Sequence, residues 1–534
     1  MNDLFGGFPD NTSPSNGDVQ HDERDSRFSD RDVELLDTTL RDGEQAPGVS
    51  LTPDEKAEIA RALDRAGVDV VEAGSACTGD GERATIRRVA DLDLDATVTS
   101  FARGVEADVD LAVDCGVDGV HLVVPASDRH VEGKVGTTRD EVVETTADLV
   151  EHARDHGLWV EVIGEDGSRA DLDFLERLAE ATHEAGADRF CFADTVGHTG
   201  PEHAYEAVSR LTDLGPTSTH THDDLGLAVT NALASVAAGA DLVHATVNGV
   251  GERAGNVALE EVAIALAHRY DVETVELTEL YDLARTVADA TDVPLAPNKA
   301  VVGENAFAHE SGIHTDGTLK DEQMYEPYPP ETVGRERRLV LGKHTGRAGA
   351  KAALAEHGVE VDDDELQEVV ARVQDLAERN KRVTDADLLA IAEDVQGRER
   401  DRRIELLELA ATSGGRIPTA SVRLAVDGEE RVASGTGDGP VDAAVTAVRE
   451  AVGGSGDSTA VAADANLESY HVDAITGGTD AVVTVEVEMR RGDRTVTVAS
   501  SDGDITRASV TAMVDALDRL LVADEAADPA VADD

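Results

Sequence analysis

From residue 33 onward, short apolar runs alternate with longer stretches whose apolar residues recur every three or four positions. The runs fall at 33–36, 69–72, 96–101, 119–124, 159–163, 189–192, 217–222 and 242–247. Helical patterns such as 53–66, 138–156 and 171–185 lie between them. Short apolar runs read as buried strands, and the three-to-four spacing reads as amphipathic helix. Eight strand–helix units in succession predict an α/β fold, a (β/α)8 TIM barrel over residues 31–285. An open doubly wound sheet is the competing arrangement. The polar residues at the strand ends favour the barrel.

Residues 286–412 predict helical linker subdomains, broken by Pro294, Pro297 and the turn-rich stretch 325–330. Residues 413–525 predict a small α+β domain built twice. The first copy has a strand at 420–426 and a helix at 441–452. The second has strands at 470–474, 482–489 and 495–499 and a helix at 506–521. A flexible join at 453–458 separates the copies. Such a domain suits regulation or dimerisation. Residues 1–30 are rich in Asp, Ser, Asn and Gly and read as a disordered acidic tail.

Charge narrows the partners. Asp and Glu number 110 against 47 Lys and Arg, a net charge of −63. That field repels nucleic-acid phosphates and anionic lipid, so neither is expected as a partner. No apolar run is long enough to span a bilayer, and the N-terminus lacks a basic-then-apolar leader. Cys77, Cys115 and Cys191 stand apart, as reduced thiols of a cytoplasmic protein do. Only seven lysines occur. A lysine-poor, carboxylate-rich surface fits a halophile, because molar salt screens its self-repulsion.

Catalytic groups of a parallel barrel gather at the C-terminal ends of its strands. The first strand leads into Arg41 and Asp42, the fourth carries His121, and the fifth is followed by Glu165. The sixth ends at Thr195, the seventh at His220 and His222, and the eighth leads to Asn256. Residues two apart on a strand share a face, so His220 and His222 form half a metal site. Asp42 and Asn256 are candidates to complete it, for Mg²⁺, Mn²⁺ or Zn²⁺. Two histidines bonding to neighbours at a strand edge is the plainer alternative. Arg41 offers a planar fork for a carboxylate or for a carbonyl oxygen gaining charge, or else a structural ion pair with Glu44 or Glu72. Glu165 reads as a base, a substrate contact or a solvated loop acid. Thr195 reads as a hydrogen-bond donor or a helix cap. The segment 305–317 carries His309 and His314 among small residues and could supply acid–base groups. The glycines of 249–255 do not have dinucleotide-fingerprint spacing.

Three of these motifs, Asp37-Thr38-Thr39-Leu40-Arg41-Asp42-Gly43-Glu44-Gln45, His220-Thr221-His222-Asp223-Asp224 and the 248–256 stretch, resemble the 2-isopropylmalate, homocitrate and citramalate synthase family. So do His309-Glu310-Ser311-Gly312-Ile313-His314-Thr315-Asp316-Gly317 and Leu341-Gly342-Lys343-His344-Thr345-Gly346-Arg347. The resemblance implies condensation of acetyl-CoA with a 2-oxo acid, then thioester hydrolysis. It implies Asp42, His220 and His222 as metal ligands with Asn256 nearby, and Arg41 on the developing alkoxide. It places His121, Thr195 and Glu165 on the 2-oxo acid, and gives proton removal to His314 with Tyr325 and Glu310 as helpers. Glu72-Ala73-Gly74-Ser75-Ala76 and the His121–Ser127 stretch look like archaeal citramalate synthases. That implies pyruvate as acceptor and (R)-citramalate as product, on a route to isoleucine. A 2-isopropylmalate synthase using 2-oxoisovalerate, on the route to leucine, is the alternative. The resemblance also implies a homodimer inhibited by a branched-chain amino acid, isoleucine or leucine.

Three other classes fit less well. Amidohydrolase barrels carry His-x-His on the first strand, CoA-thioester lyases lack the long C-terminal extension, and a non-catalytic sensor has no use for polar residues at so many strand ends.

Overall fold

The computed structural model describes residues 27–28, 31–321, 324–378, 383–396, 402–412, 417–453, 465–474, 483–492 and 494–527. It forms two compact units, Met1–Phe307 with Tyr328–Arg337, and Ala308–Pro327 with Arg338–Asp534.

The first unit is a closed parallel barrel of β1 (Glu34–Asp37), β2 (Val70–Ser75), β3 (Thr97–Arg103), β4 (Gly119–Pro125), β5 (Trp159–Glu165), β6 (Arg189–Asp194), β7 (Thr217–Thr221) and β8 (Leu242–Ala245). Closure comes from β8 on β1, with Leu242 opposite Glu34 and Ala245 opposite Asp37. Helices α1 (Pro53–Arg65), α2 (Asp80–Ala90), α3 (Glu106–Cys115), α4 (Arg139–Asp155), α5 (Leu172–Glu184), α6 (Pro201–Thr212), α7 (Ala228–Ala238) and α8 (Leu259–Ile264) follow the strands, and α9 (Leu280–Thr291) comes after the last of them. The first helix shows why this happens locally. Thr52 and Glu55 form a reciprocal capping box, Pro53 takes the first turn, and Ile59, Ala60 and Leu63 are buried. Burial of one such Leu or Ile side chain is worth about 1.5–3 kcal/mol.

Because strand residues alternate in direction, every second side chain enters the barrel. Part of the interior near the strand starts is apolar, a separate cluster of Leu36, Val70 and Leu242. Above it the interior turns polar. His121 lies in register with Glu161, and Glu161 with Arg189. The main apolar core lies outside, between strands and helices, where Leu35, Val71, Val120, Val162 and Phe190 are buried.

The barrel unit runs past the expected boundary at 285. Arg335 lies over the Tyr281 ring at 4.4 Å and donates to the carbonyls of Val302 (2.8 Å) and Gly303 (2.6 Å). Most of the expected tail, residues 1–26 with 29 and 30, lies outside the described residues. Phe28 does not behave as tail: it is 3% exposed and stacks on Tyr270 with ring centroids 3.8 Å apart.

In the second unit, β9 (Ala308–His309) pairs with β10 (Arg338–Leu339) near α10 (Gly312–Thr318). A small core then joins α11 (Arg347–Glu356), α12 (Asp363–Glu378) and α13 (Asp385–Val395), with Leu354, Val369, Val373 and Leu388 buried. Two antiparallel sheets follow. One contains β11 (Ile404–Thr412), β12 (Thr419–Val426) and β13 (Glu429–Thr436), and leads to α14 (Pro440–Val452). The other contains β14 (Asn466–Ala474), β15 (Val483–Arg491) and β16 (Arg494–Asp502), and leads to α15 (Ile505–Ala527). The three-strands-then-helix plan therefore occurs twice. Residues 454–458 of the expected join lie outside the described residues.

One correction concerns β11, which falls inside the stretch expected to be helical linker. Its Glu405-Leu406-Leu407-Glu408-Leu409 pattern has helix-like spacing, but it pairs with β12 from Ile404 opposite Val426 to Thr412 opposite Thr419. Tertiary pairing overrides local pattern here. Among the described residues no helix is long and apolar enough to cross a membrane.

Candidate active site

The expected half-site on the seventh strand exists, and its partners come from three other places in the barrel. His220 is the penultimate residue of β7 and faces inward, and His222 is placed just beyond the strand by an isolated bridge to Asn256. Their Nε2 atoms are 3.2 Å apart. Asp42, in the turn after β1, brings Oδ2 to 4.0 Å from His220 Nε2. Asn256 donates from Nδ2 to Asp42 Oδ1 at 3.1 Å. One ligand atom each from Asp42, His220 and His222 lies within 4.8 Å of the others, and all three residues are buried.

Electrostatics suit this set to a cation. Burial, then the neighbouring imidazole, holds His220 well below the ordinary histidine value. Burial lowers His222 as well. Both rings are therefore neutral near pH 7 and have a lone pair to give. Burial pushes the Asp42 carboxyl up, but the Arg41 guanidinium, with the Asn256 amide donating to it, outweighs burial and keeps it ionised. The buried Oδ1 of Asn256 and Nδ1 of His222 have no hydrogen-bond partner among the described residues. A carboxylate, two imidazoles and an unsatisfied amide oxygen form a donor set for Mg²⁺, Mn²⁺ or Zn²⁺.

Arg41 adjoins this set. It contacts Asp42 Oδ2 at 2.5 Å through Nη1 and Glu72 Oε2 at 2.6 Å through Nε, over the Phe101 ring at 5.0 Å. Of the two structural partners weighed for it, Glu72 is the one found. Glu44 pairs with the buried Lys56 at 2.7 Å instead. Burial would raise the Glu72 carboxyl, but Arg41 and His121 hold it far below the usual range.

A layer of acids and imidazoles supports Arg41. His121 Nδ1 lies 2.9 Å from Glu72 Oε1, and its Nε2 lies 4.0 Å from Glu161 Oε2. His244 Nε2 is 2.9 Å from the same oxygen, and Ser218 donates to Glu161 Oε1 at 2.5 Å. Burial opposes ionisation of Glu161, but His244, His121 and Ser218 bring it down to about 2. His121 is fully buried in this layer. Glu161 and His244 went unnoticed in the sequence. A charged or polar residue at an inward position of an apolar barrel strand was the signal available.

At the rim, Glu165 ends β5 and Thr195 follows β6. The Thr195 hydroxyl oxygen accepts from the Asp166 backbone N–H at 2.8 Å, leaving its proton to donate. It ties two strand ends together and does not cap a helix. Glu165 is not a free loop acid: Lys134 Nζ sits 2.6 and 2.8 Å from its two oxygens.

The remaining expected residues belong to the second unit. His314 and Tyr325 stack with centroids 4.3 Å apart. A Cβ on Gly317 would meet the Tyr325 ring at 2.3 Å, so glycine makes room for that ring. Glu310 Oε1 accepts from the His344 backbone N–H at 3.4 Å. His309 pairs with Glu326 at 3.0 Å.

Residues 32–287 match the HMGL-like family, residues 301–381 the homocitrate synthase post-HMGL domain-like family, and residues 382–521 the LeuA allosteric (dimerisation) domain. The chain is 52% identical over 492 residues to the "Putative (R)-citramalate synthase CimA" of Methanothermobacter thermautotrophicus, covering 92% of this chain and 98% of the relative. It is 47% identical over 495 residues to the (R)-citramalate synthase CimA of Methanocaldococcus jannaschii, covering 92% and 99%.

Proposed function

The chain belongs to the (R)-citramalate synthase family, and we propose that it condenses acetyl-CoA with pyruvate and water to give (R)-citramalate and CoA. The observation that carries the reading is the buried Asp42–His220–His222 cluster beside Arg41 at the C-terminal mouth of the barrel.

A divalent ion held by Asp42, His220 and His222, with Asn256 beside them, would polarise the keto group of the 2-oxo acid. The chain supplies the rest. Arg41, fixed by Glu72, directs its free N–H groups at the keto oxygen as that oxygen gains charge. Thr195 donates to the acceptor carboxylate. His121, held by Glu72, orients the layer beneath, and Glu165 contacts the acceptor from the rim. His314, with Tyr325 and Glu310, serves the removal of a proton from the acetyl methyl group. That methyl carbon then bonds to the keto carbon. Water cleaves the thioester, and the sulfur leaves as the CoA thiol. A thioester α-proton is weakly acidic, which is why a positioned base is needed.

The C-terminal sheets support a homodimer with feedback inhibition by a branched-chain amino acid, isoleucine for the route proposed here. The charge of −63 and the seven lysines support an enzyme of a halophile, and the free Cys77, Cys115 and Cys191 support a cytoplasmic one. Retention of the fold after dialysis into low salt would count against the halophile reading. Thiol titration of CoA released from acetyl-CoA tests the reaction: release that depends on pyruvate supports it, and release indifferent to pyruvate contradicts it.

A further inference from the structure

The turn after β4 has an unusual shape. Arg129–Val135 forms a π-helical turn, a wide form that recurs at functional sites. Its wide pitch brings residues four apart onto one side, and here these are His130 and Lys134. Both reach Glu165 at the end of the next strand. Lys134 Nζ contacts both carboxylate oxygens, at 2.6 and 2.8 Å, and His130 Nδ1 lies 3.0 Å from Oε2.

The surroundings make this a built arrangement. Val131 is fully buried and pins the turn to the barrel. The backbone N–H groups of His130 and Val131 donate to the Ser127 carbonyl at 2.9 and 2.8 Å. The Ser127 hydroxyl donates to Asp166 Oδ2 at 2.5 Å, and Thr195 Oγ1 accepts from Asp166 N–H. Arg169 holds the other oxygen of Asp166 at 2.7 Å. The backbone on either side of Glu165 is thus tied to β4 and β6, and its carboxylate is tied to the turn. One of only seven lysines in the chain is placed on an acid at the barrel mouth.

We propose that Lys134, with His130 beside it, is a positioning residue for Glu165, fixing the plane of its carboxylate and aiming it along the rim where the 2-oxo acid and the acetyl group meet. The proposal rests on the reading of the chain as a 2-oxo acid-condensing synthase. An ammonium bridging both oxygens fixes the carboxylate plane. The ionisable groups facing Glu165 are Lys134 and His130 from the turn and Asp166 beside it on its own strand end. Lys134 is largely exposed, so its value lies in orientation and not in stability.

The test is a cycle of the full-length enzyme with Lys134→Met, Glu165→Gln and the pair, with Lys134→Arg as the conservative variant. Circular dichroism and metal content check that each remains folded. Lys134→Met is expected to lower kcat about tenfold or more with little change in the KM for pyruvate, and Lys134→Arg to recover most of it. In the Glu165→Gln background, Lys134→Met should cost nothing further, because the lysine acts through that carboxylate. An equal loss from Lys134→Met in both backgrounds, or none in either, overturns the proposal. Wild-type kcat in Glu165→Gln removes its target and overturns it too, while leaving citramalate synthesis standing. Only a wild-type enzyme that ignores pyruvate would overturn the underlying reading.

Discussion

His220 and His222 confront each other across 3.2 Å, Nε2 to Nε2, inside a barrel mouth where burial keeps both rings neutral. Two neutral imidazoles at that distance, with Asp42 close by, are better arranged to share a cation than to bond to one another. His220→Ala should abolish stoichiometric metal in the purified protein while leaving the fold intact. Asn256→Ala should weaken metal affinity about 10–100-fold, as loss of a supporting hydrogen bond does. Metal analysis after dialysis against a measured free ion concentration checks both. Full occupancy in His220→Ala would remove the seventh strand from the site.

Arg41 is held by two acids in a fixed plane, so its shape should matter as much as its charge. Arg41→Lys keeps the charge and loses the fork. It is expected to lower kcat about 10²–10³-fold, the scale for loss of one donor to a developing oxyanion. Steady-state kinetics check this, and a loss under threefold would contradict it.

Asp37 gives a pH dependence unrelated to catalysis. It is fully buried beneath Thr39, and burial raises its carboxyl from 3.8 to about 7. Between those values the folded chain keeps a proton that the unfolded chain has released. Stability from this group therefore falls as pH rises from about 4 to about 7, then levels off. Asp37→Asn should remove that slope. The difference in unfolding midpoint between wild type and variant, followed across this range, is the measurement. A difference that does not change with pH contradicts it.

The barrel was legible because short apolar runs recur in seven of its strands, while β7, wholly Thr, Ser and His, was marked by its histidines; the strand-end motifs marked Asp42, His220, His222 and Asn256, which the fold gathers into one place. Other features were hidden. Glu161 and His244 lie on β5 and β8, three strands apart, and meet only across the barrel interior. The Lys134–Glu165 pairing depends on a π-helical turn that side-chain patterns do not reveal. In β11, Leu406 and Leu409 sit at a spacing that suits either helix or strand, and only β12 decides between them.

That strand sets where the C-terminal region can be cut. A chain ending at residue 412 would keep β11 without β12, exposing an unpaired edge, and should aggregate. A chain ending at 396 removes both sheets whole and is expected to remain soluble, without the inhibition by isoleucine proposed for the full chain. Size-exclusion chromatography and inhibition assays of the two truncations check this. Undiminished inhibition in the shorter chain would place the effector site outside the sheets.

The most direct measurement is CoA release by thiol titration in molar KCl with Mn²⁺ or Mg²⁺, comparing pyruvate with 2-oxoisovalerate at equal concentration. A strong preference for pyruvate is predicted. A preference for 2-oxoisovalerate would make the chain a 2-isopropylmalate synthase in activity and contradict the account.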